Sequence, residues 1–377
     1  MKILFALNHP AHYHLFKHAF SILRRDGHDT FFVIKDKDIL SQLLDSEKVD
    51  HHILTIKKIG HNKISVLAKG AFDIIIQDYR LLLFCREHRP DLMIGTDYSI
   101  THVGRLLGIE SLVFNEDDFA INKLFCTLAY PFATAIVSPF VCDVGKSKHK
   151  KIGYNGYQKL AYLHPVRFKP DINVIRKYFD PNRKIFLIRL VRFAAGHDIE
   201  MKHSGITIPL LEKICLMLNP FGQVFISSEA SIPAPLKKYS LKIDPKDIHH
   251  ILAFADMFIA DSQSMIVEAA MLGTPCIRFN SFVGKISVLE ELEKKFKLAI
   301  GINVTQPEEL IVQIKKNLDN ENIKKVYARR RQQMLAEKID LTGFIVWLID
   351  NYPRSLAKAK NNSQIQNEFI KVIDYEY

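Results

Sequence analysis

The sequence contains little cysteine, the residue that builds disulfide frameworks and many structural zinc sites. Five cysteines are spread over 377 residues without a Cys-x-x-Cys pair. Such a set favours neither a disulfide framework nor a zinc knuckle. We therefore expect a cytoplasmic protein whose fold depends on apolar cores.

We expect neither a secretion signal nor a membrane span in this sequence. The apolar run at 1–7 meets His9 after a length too short for a signal core. Residues 124–142 are 19 positions without a charge, which is long enough to cross a membrane, but prolines and hydroxyl residues interrupt them. We predict instead the end of a buried helix, a turn at 130–131 and a strand near 133–137.

Composition and charge define the class of protein. Apolar residues make up 48% and charged residues 25%, so a disordered chain is excluded. At about 150 residues per domain, the length predicts two domains. The net charge is +11, and residues 144–189 hold +10 of it, from twelve Lys/Arg and two Asp. Such a stretch attracts phosphates, so we expect peripheral membrane association through it, and no nucleic-acid partner because no such signature accompanies it.

Short β-rich runs alternate with helical patterns in both halves of the chain, which predicts an α/β fold with parallel, doubly wound sheets. We expect two Rossmann-like domains facing a central cleft, with 144–189 as the linker and a loosely attached tail in the last twenty or so residues. The predicted strands are 3–7, 30–34, 52–54, 92–95, 111–114, 135–138, 184–190, 223–227, 256–260 and 275–279. The predicted helices are 14–26, 38–47, 65–88, 100–108, 118–129, 206–218, 246–254, 263–272 and 286–296.

Ligands of open α/β sheets bind beyond the carboxyl ends of the strands, so we expect the functional residues in the loops that follow strands. The clearest signal is the strand end and helix start around Ser262. Asp261 or Ser262 can cap the helix, while free backbone N–H groups at 263–265, starting at Gln263 and Ser264, form an anion site. Glu268 follows at a spacing suited to a ribose. The alternative is an ordinary capped helix with a solvated glutamate.

The loop after the first strand is rich in histidine. His9, His12 and His14 lie at spacings of three and two, with His18 one turn later. They could bind zinc, supply a general base, contact substrate, or be structural. His12 is the preferred base because it lies in the loop, and His9 and His14 are candidate substrate contacts.

Two acidic loops follow later strands of the same half. Asp97 lies in one, and Glu116, Asp117 and Asp118 are adjacent in the other. Mutual repulsion can raise a carboxyl pKa toward a value useful for acid-base work. Asp117 and Asp118 could instead cap the following helix. Asp97 and Glu116 remain the candidate catalytic carboxylates.

The first strand of the second half ends in cations. Arg189, Arg192 and His197 can neutralise a diphosphate and stabilise it as a leaving group. The alternative is surface pairing with Asp198 and Glu200.

Two further loops of this half directly follow strands. Ser228 and Glu229 would border the same cleft. Asn280 ends another strand and is a candidate substrate contact, with Gly284 permitting a tight loop.

Over about residues 1–350 the chain resembles an uncharacterised prokaryotic family of glycosyltransferase-B-like (GT-B-like) proteins. The matching blocks are His9-Pro10-Ala11-His12, His14-Leu15-Phe16-Lys17, His102-Val103-Gly104, Leu107-Gly108-Ile109, Tyr154-Asn155-Gly156-Tyr157, Leu160-Ala161-Tyr162-Leu163-His164-Pro165, Phe225-Ile226-Ser227-Ser228-Glu229, Glu268-Ala269-Ala270, Leu272-Gly273-Thr274-Pro275 and Asn280-Ser281-Phe282-Val283-Gly284-Lys285. Relatives usually carry glycine where this chain has Gln263, whose side chain would hinder close approach to a phosphate.

Such proteins are similar to nucleotide-sugar glycosyltransferases and to non-hydrolysing UDP-N-acetylglucosamine 2-epimerases. The resemblance implies a GT-B-like fold with an acceptor-side domain at 1–160 and a nucleotide-sugar domain at 161–340. A helix at 341–358 would cross back to the first domain, and 359–377 would be a tail. The resemblance also implies a nucleotide-diphosphate sugar, such as a UDP-sugar, as substrate and a glycan or lipid-linked acceptor. It implies no separate cofactor and no metal.

Four functions follow as hypotheses. The first is a metal-independent glycosyltransferase of cell-surface polysaccharide or glycoconjugate synthesis, with His12 or Asp97 as base. The second is epimerisation at the sugar C2, with Asp97 and Glu116 exchanging protons. The third is a zinc hydrolase built on the histidines of 9–18. The fourth is a non-catalytic module for anionic polymers.

Overall fold

The chain divides into two compact units. A computed structural model describes residues 1–36, 40–56, 66–190, 205–228 and 231–371. The first unit comprises Met1–Tyr162 together with Lys338–Lys371, and the second comprises Leu163–Glu337.

Each unit is built on a parallel sheet. In the described part of the first unit, seven strands pair in the order β3-β2-β1-β4-β5-β6-β7. These strands are β1 (Lys2–Leu7), β2 (Asp29–Asp36), β3 (His52–Ile56), β4 (Leu92–Gly95), β5 (Glu110–Phe114), β6 (Ala135–Pro139) and β7 (Lys151–Tyr154). The strand order reverses at β1, so the crevice beyond the carboxyl ends of β1 and β4 is the expected ligand position.

The second unit repeats the design on a smaller scale. Its five described strands pair in the order β12-β11-β10-β8-β9, and the order reverses at β8. They are β8 (Ile185–Leu190), β9 (Gln223–Ser228), β10 (Met257–Ala260), β11 (Cys276–Phe279) and β12 (Ile300–Ile302). Every pairing in both sheets is parallel, as the alternation of strands and helices predicted.

Helices connect the strands. In chain order the described α-helices are α1 (Pro10–Arg25), α2 (Leu40–Ser46), α3 (Val66–His88), α4 (Ser99–Leu107), α5 (Lys123–Ala129), α6 (Leu160–Leu163), α7 (Ile172–Ile175), α8 (Ile208–Leu218), α9 (Ile248–Phe254), α10 (Gln263–Leu272), α11 (Ser287–Glu290), α12 (Pro307–Asp319), α13 (Ile323–Glu337), α14 (Leu341–Asp350) and α15 (Arg354–Asn361). The helices α3, α4 and α5 share one apolar core with the first sheet. In the second unit, α8 and α12 share another with the second sheet.

The basic stretch is not the simple linker that was predicted. Lys151–Tyr154 forms β7, which pairs with β6 in the register Ile136↔Lys151 and buries Ile152 and Tyr154. The first unit therefore continues to Tyr162. A four-residue strand that begins with lysine and contains glycine is too short to show a clear period of two.

The predicted loose tail is also wrong as far as Lys371. Gln366 is buried, accepts a hydrogen bond from the Asn155 backbone N–H (2.7 Å) and donates one to the Gly153 carbonyl (2.8 Å). The segment after α15 is therefore fixed to β7. Helix α14 belongs to the first unit, where it contacts α1.

The uncharged segment 124–142 folds as predicted, into α5, a turn and β6. Among the described residues, no helix combines the length and the hydropathy needed to span a bilayer.

Candidate functional site

The first loop of the first unit is organised by its histidines. His9 precedes α1, and its Nδ1 accepts a hydrogen bond from the Ala11 N–H (3.2 Å) while Pro10 opens the helix. His9 is thus the exposed N-cap of α1. The His14 ring lies within α1 at 5.2 Å from the Tyr162 ring.

His12 connects the loops after β1 and β4. Its Nδ1 accepts from the Asn8 backbone N–H (3.3 Å) and from the Thr96 hydroxyl (2.5 Å). A neutral ring with Nδ1 as acceptor carries its proton on Nε2. Burial, followed by the charges of His9 and Lys159, lowers the pKa of His12 to about 3. His12 is therefore a neutral donor through Nε2 near pH 7, which fits poorly with the predicted role of general base.

The histidines do not form a metal-ligand cluster. Across the parts of the chain that the structure describes, which include all of 9–18, no three His, Cys, Asp or Glu side chains are grouped as ligands. The ring centroids of His9 and His12 lie 5.9 Å apart. A zinc hydrolase built on these histidines thus has no ligand set.

Asp97 is buried after β4 and bound on both oxygens. Oδ1 accepts from the Ser99 N–H (2.7 Å), and Oδ2 accepts from the Gln77 side-chain amide. The Gln77 carbonyl in turn accepts from the Lys35 ammonium (2.9 Å). This chain of hydrogen bonds fixes the Asp97 carboxyl in place and connects it to a cation.

Glu116 is held after β5 by a cation and a backbone group. Its Oε2 lies 2.9 Å from the Lys159 ammonium, and its Oε1 accepts from the Gln158 N–H (2.6 Å). Each side chain of the pair is 11% exposed. Lys159 comes from the basic stretch, so one of those charges neutralises an acid inside the protein.

The carboxyl with a raised pKa in this loop is Asp117. Burial is the first cause, and the neighbouring Glu116 charge is the second. The alternative of helix capping by Asp117 and Asp118 is wrong, because α5 begins only at Lys123 and a turn occupies 118–122. Asp117 accepts from the Asn122 amide (3.2 Å) instead, and Asp118 accepts from the Asp143 N–H (2.8 Å).

In the second unit, Ser262 caps α10. Its Oγ accepts from the Met265 N–H (3.4 Å), so of the two predicted caps, Asp261 and Ser262, the structure has Ser262. The half-buried Gln263 and Ser264 occupy the first helical positions, where backbone N–H groups have no intrahelical acceptor. The helix start therefore offers donors and a positive dipole end to an anion.

The backbone of Arg189 lies beside the end of β10, the strand that leads into this helix. It pairs with Ala260 in the register of β8 and β10, and its carbonyl accepts from the Asp261 N–H (3.4 Å). Its guanidinium donates from Nη1 to the Ser227 hydroxyl (2.8 Å) at the end of β9, where half-buried Ser228 follows. The sheet thus brings Arg189 and Ser262 to the same edge, at the strand where the order reverses.

Three predicted residues of this site, Arg192, His197 and Glu229, lie outside the described residues.

Glu268 is buried, so the alternative of a solvated glutamate is wrong. Its Oε1 lies 3.5 Å from Nε2 of His249, which is also buried at the start of α9. The pair joins α9 to α10.

Asn280 has a structural role, because its side chain bonds to backbone groups of two loops. Its amide donates to the Asp261 carbonyl (3.1 Å), and its side-chain oxygen accepts from the Phe282 N–H (2.9 Å). It ties the loop after β11 to the loop after β10 and so supports the start of α10. Both polar ends of the predicted substrate contact are engaged within the protein.

Several residues of these sites were not predicted from the sequence. Thr96, Gln77, Lys159 and His249 contact predicted residues. Thr96 directly follows a strand, and that position could have identified it. Lys159 is 43 positions from Glu116, and no spacing signal connects them.

Comparison with known proteins gives a match in fold. No protein-family model matches the chain, and no curated protein matches its sequence. UDP-GlcNAc 2-epimerase from Methanocaldococcus jannaschii is similar with a TM-score of 0.59 and 14% identity, covering 85% of this chain and 94% of that one. UDP-GlcNAc 2-epimerase from Neisseria meningitidis, bound to UDP-GlcNAc, gives 0.57 and 13%, covering 88% and 100%. SsfS6, a glycosyltransferase from Streptomyces sp. SF2575, gives 0.57 and 11%, covering 93% and 100%.

At these identities the likeness concerns the fold alone. It confirms the predicted GT-B-like class with Rossmann-like parallel-sheet units, and the predicted distant similarity to epimerases and glycosyltransferases. The resemblance to the uncharacterised family gains no support from a family model.

Proposed function

We propose that this protein acts on nucleotide-diphosphate sugars as a metal-independent glycosyltransferase, with a UDP-sugar as donor and a glycan or lipid-linked acceptor. The observation that carries this proposal is the adjacency of Arg189 and the Ser262-capped start of α10 at the carboxyl edge of the second sheet. A cation at the end of one strand and a helix N-terminus after the neighbouring strand are together suited to a diphosphate. The structures with a similar fold include enzymes named for nucleotide sugars.

The charge of a departing nucleoside diphosphate would be neutralised in the second unit. The Arg189 guanidinium and the N–H groups at the start of α10 supply fixed positive charge, so little reorganisation is needed as the leaving group gains charge. Glu268 follows Ser262 by about 9 Å along the helix axis, at 1.5 Å per residue. That distance suits a ribose hydroxyl bound by the Glu268 carboxylate while the phosphates occupy the helix start.

In the first unit, Asp117 replaces His12 as the candidate base. A carboxyl with a raised pKa is a better proton acceptor than a ring protonated only near pH 3. In transfer, the acceptor oxygen bonds to the sugar C1 as the C1–O bond to phosphate breaks, and the acceptor proton moves to the base. The nucleoside diphosphate leaves with the electron pair. His12 donates from Nε2 to a substrate oxygen.

A second candidate is epimerisation at the sugar C2. It is favoured by the position of Asp97 and Glu116, which follow the neighbouring strands β4 and β5 of one sheet. Two carboxyls after adjacent strands can remove and return a proton. This reaction would incorporate solvent deuterium into the recovered nucleotide sugar, whereas transfer would release nucleoside diphosphate and form a new glycoside.

The two candidates are separated by incubating the protein with UDP-sugars and acceptor glycans in deuterated water and analysing the products by mass spectrometry. Transfer predicts nucleoside diphosphate release that chelators leave unchanged. Arg189→Gln should lower turnover about 100-fold or more, since it removes a charge that acts on the leaving group. The matched control is Arg183→Gln, at an exposed position of the same unit. Deuterated sugar without transfer would establish the epimerase instead, and neither product with any donor would contradict both.

A further inference from the structure

Helix α3 exposes a continuous apolar stripe. Phe72, Ile75, Tyr79 and Leu83 are 62%, 64%, 59% and 46% exposed. Spacings of three and four place them on one helix face over about 17 Å. The opposite face of the helix buries Leu81, Phe84 and Cys85 against the sheet. A soluble monomer rarely exposes a contiguous apolar strip of this size, so the stripe indicates a contact surface.

The stripe continues across the neighbouring helices. His102 of α4 shares a hydrogen bond with Asp78 of α3 (2.8 Å) and donates from Nε2 to the Leu128 carbonyl of α5 (3.0 Å). The three helices therefore form one layer. Its outer side also exposes large apolar side chains at Leu106 and Leu124, and at Phe132 just after α5.

The charges on this layer favour an anionic partner. Among the described side chains of α3, α4 and α5, the exposed charged residues are four cations and two acids. They are Arg80, Arg86, Arg105, Lys123, Asp73 and Glu87. The Arg80 guanidinium donates to the Leu54 carbonyl (2.6 Å), so Arg86, Arg105 and Lys123 are the cations that this layer offers to a partner. Apolar and aromatic side chains among surplus cations match the interface of a membrane with anionic headgroups. A second copy of the chain would bring two faces of the same net sign together.

The basic stretch 144–189 is less suited to this task than the sequence suggested. Lys150 donates to the carbonyls of Tyr130, Pro131 and Ala133 at 3.1, 2.7 and 2.8 Å. Lys151 donates to two further carbonyls, and Lys159 is paired with Glu116. These three ammonium groups bind the protein's own oxygens.

We propose that the outer face of α3, α4 and α5 docks on a membrane surface that contains anionic phospholipid. Docking is a property of the first unit and does not depend on which reaction the protein catalyses. It is measured as binding, so its failure and the failure of the proposed function are separate results.

Cosedimentation with vesicles tests the docking surface. The full chain is mixed with vesicles of phosphatidylcholine alone or with added phosphatidylglycerol, at low and high salt. We expect binding to the mixed vesicles that weakens with salt. The double variant Ile75→Ser/Leu83→Ser should lower the partition coefficient at least about tenfold, because two apolar side chains no longer insert. Arg86→Gln should lower it about fivefold.

Matched controls distinguish binding through this face from non-specific binding through other exposed residues. Leu216 and Val312 of the second unit are 68% and 49% exposed. The variant Leu216→Ser/Val312→Ser should bind vesicles like the wild type. Lys146→Gln/Lys148→Gln, at exposed positions of the basic stretch, should also leave binding nearly unchanged.

A fluorescence readout covers the case in which a serine variant folds poorly. Tyr79→Trp should show a blue shift in its emission on addition of mixed vesicles, whereas Leu216→Trp should not. The proposal would be overturned if the wild-type protein did not bind anionic vesicles, or if the Ile75→Ser/Leu83→Ser variant bound them as tightly as the wild type. So would a lipid-free dimer in sedimentation equilibrium that dissociates in the Ile75→Ser/Leu83→Ser variant, since it would assign this face to a second copy.

Discussion

Lys159→Met should destabilise the first unit strongly, because it leaves the Glu116 carboxylate without its cation. The two side chains lie 2.9 Å apart and each is 11% exposed, so water can replace little of the lost interaction. Removing one partner of a buried ion pair costs about 3 to 5 kcal/mol. Residual exposure and the remaining bond from the Gln158 N–H lower this figure, and we expect a loss of about 3 kcal/mol in the free energy of unfolding.

Urea unfolding followed by tryptophan fluorescence measures this loss. The chain has one tryptophan, Trp347, which lies in α14 of the first unit and packs on Phe344. Its emission therefore reports the unit that holds the ion pair. Glu116→Gln in the Lys159→Met background should recover part of the loss, because it removes the unpaired charge and keeps an acceptor.

The matched control is Arg25→Met. Arg25 pairs with Asp26 on the surface of the same unit, where it is 74% exposed, and we expect a change within about 0.5 kcal/mol. A Lys159→Met variant that unfolds at the same urea concentration as Arg25→Met would refute the buried pair and its role in fixing Glu116.

Three further predictions concern two histidines and a lysine of the first unit. The hydrogen bond to Asp78 raises the pKa of His102. The stabilisation that protonated His102 gives the folded protein is therefore complete below the ordinary histidine pKa and is lost as pH rises through the raised value. The unfolding free energy of His102→Gln, measured against pH, should lack this decline. His12→Gln should lower turnover without changing the shape of the pH–rate profile between about pH 5 and 8, because His12 stays neutral there; a lost limb would restore His12 as a base. Lys150→Met should cost about 1 to 2 kcal/mol in urea unfolding, since three carbonyls lose their donor; no change would show that water replaces the ammonium.

The sheets could be predicted because their strands are buried on both faces. Runs such as 3–7 and 257–260 are continuously apolar and end at polar residues, which is typical of parallel strands between helix layers. β7 and β12 carry weaker signals, because they have four and three residues and each contains glycine.

The loops that carry the candidate site could be predicted from the same pattern. Asp97 and Glu116 lie just after strands of the first sheet, and Arg189 and Ser262 lie at or just after the ends of strands of the second. Within each sheet, parallel strands bring these ends to one edge. Their partners could not be predicted, because contacts such as Glu116 with Lys159 depend on where a distant segment returns to the sheet.

Residue roles were harder to predict than residue positions. The sequence pattern of His12 suggests a base, but burial and two donors at Nδ1 make the ring a neutral donor. Asp117 and Asp118 look like helix caps by sequence because acids often precede helices, yet a turn separates them from α5. Hydrogen bonds from distant residues, Thr96 to His12 and Asp143 to Asp118, contribute to both cases and leave no local signal.

Titration calorimetry of the wild-type chain with UDP tests donor binding most directly. We expect one site per chain, and weaker binding in Arg189→Gln and Glu268→Gln while Arg183→Gln binds like the wild type. No detectable heat with UDP or with any other nucleoside diphosphate up to about 1 mM would contradict a diphosphate site at the start of α10.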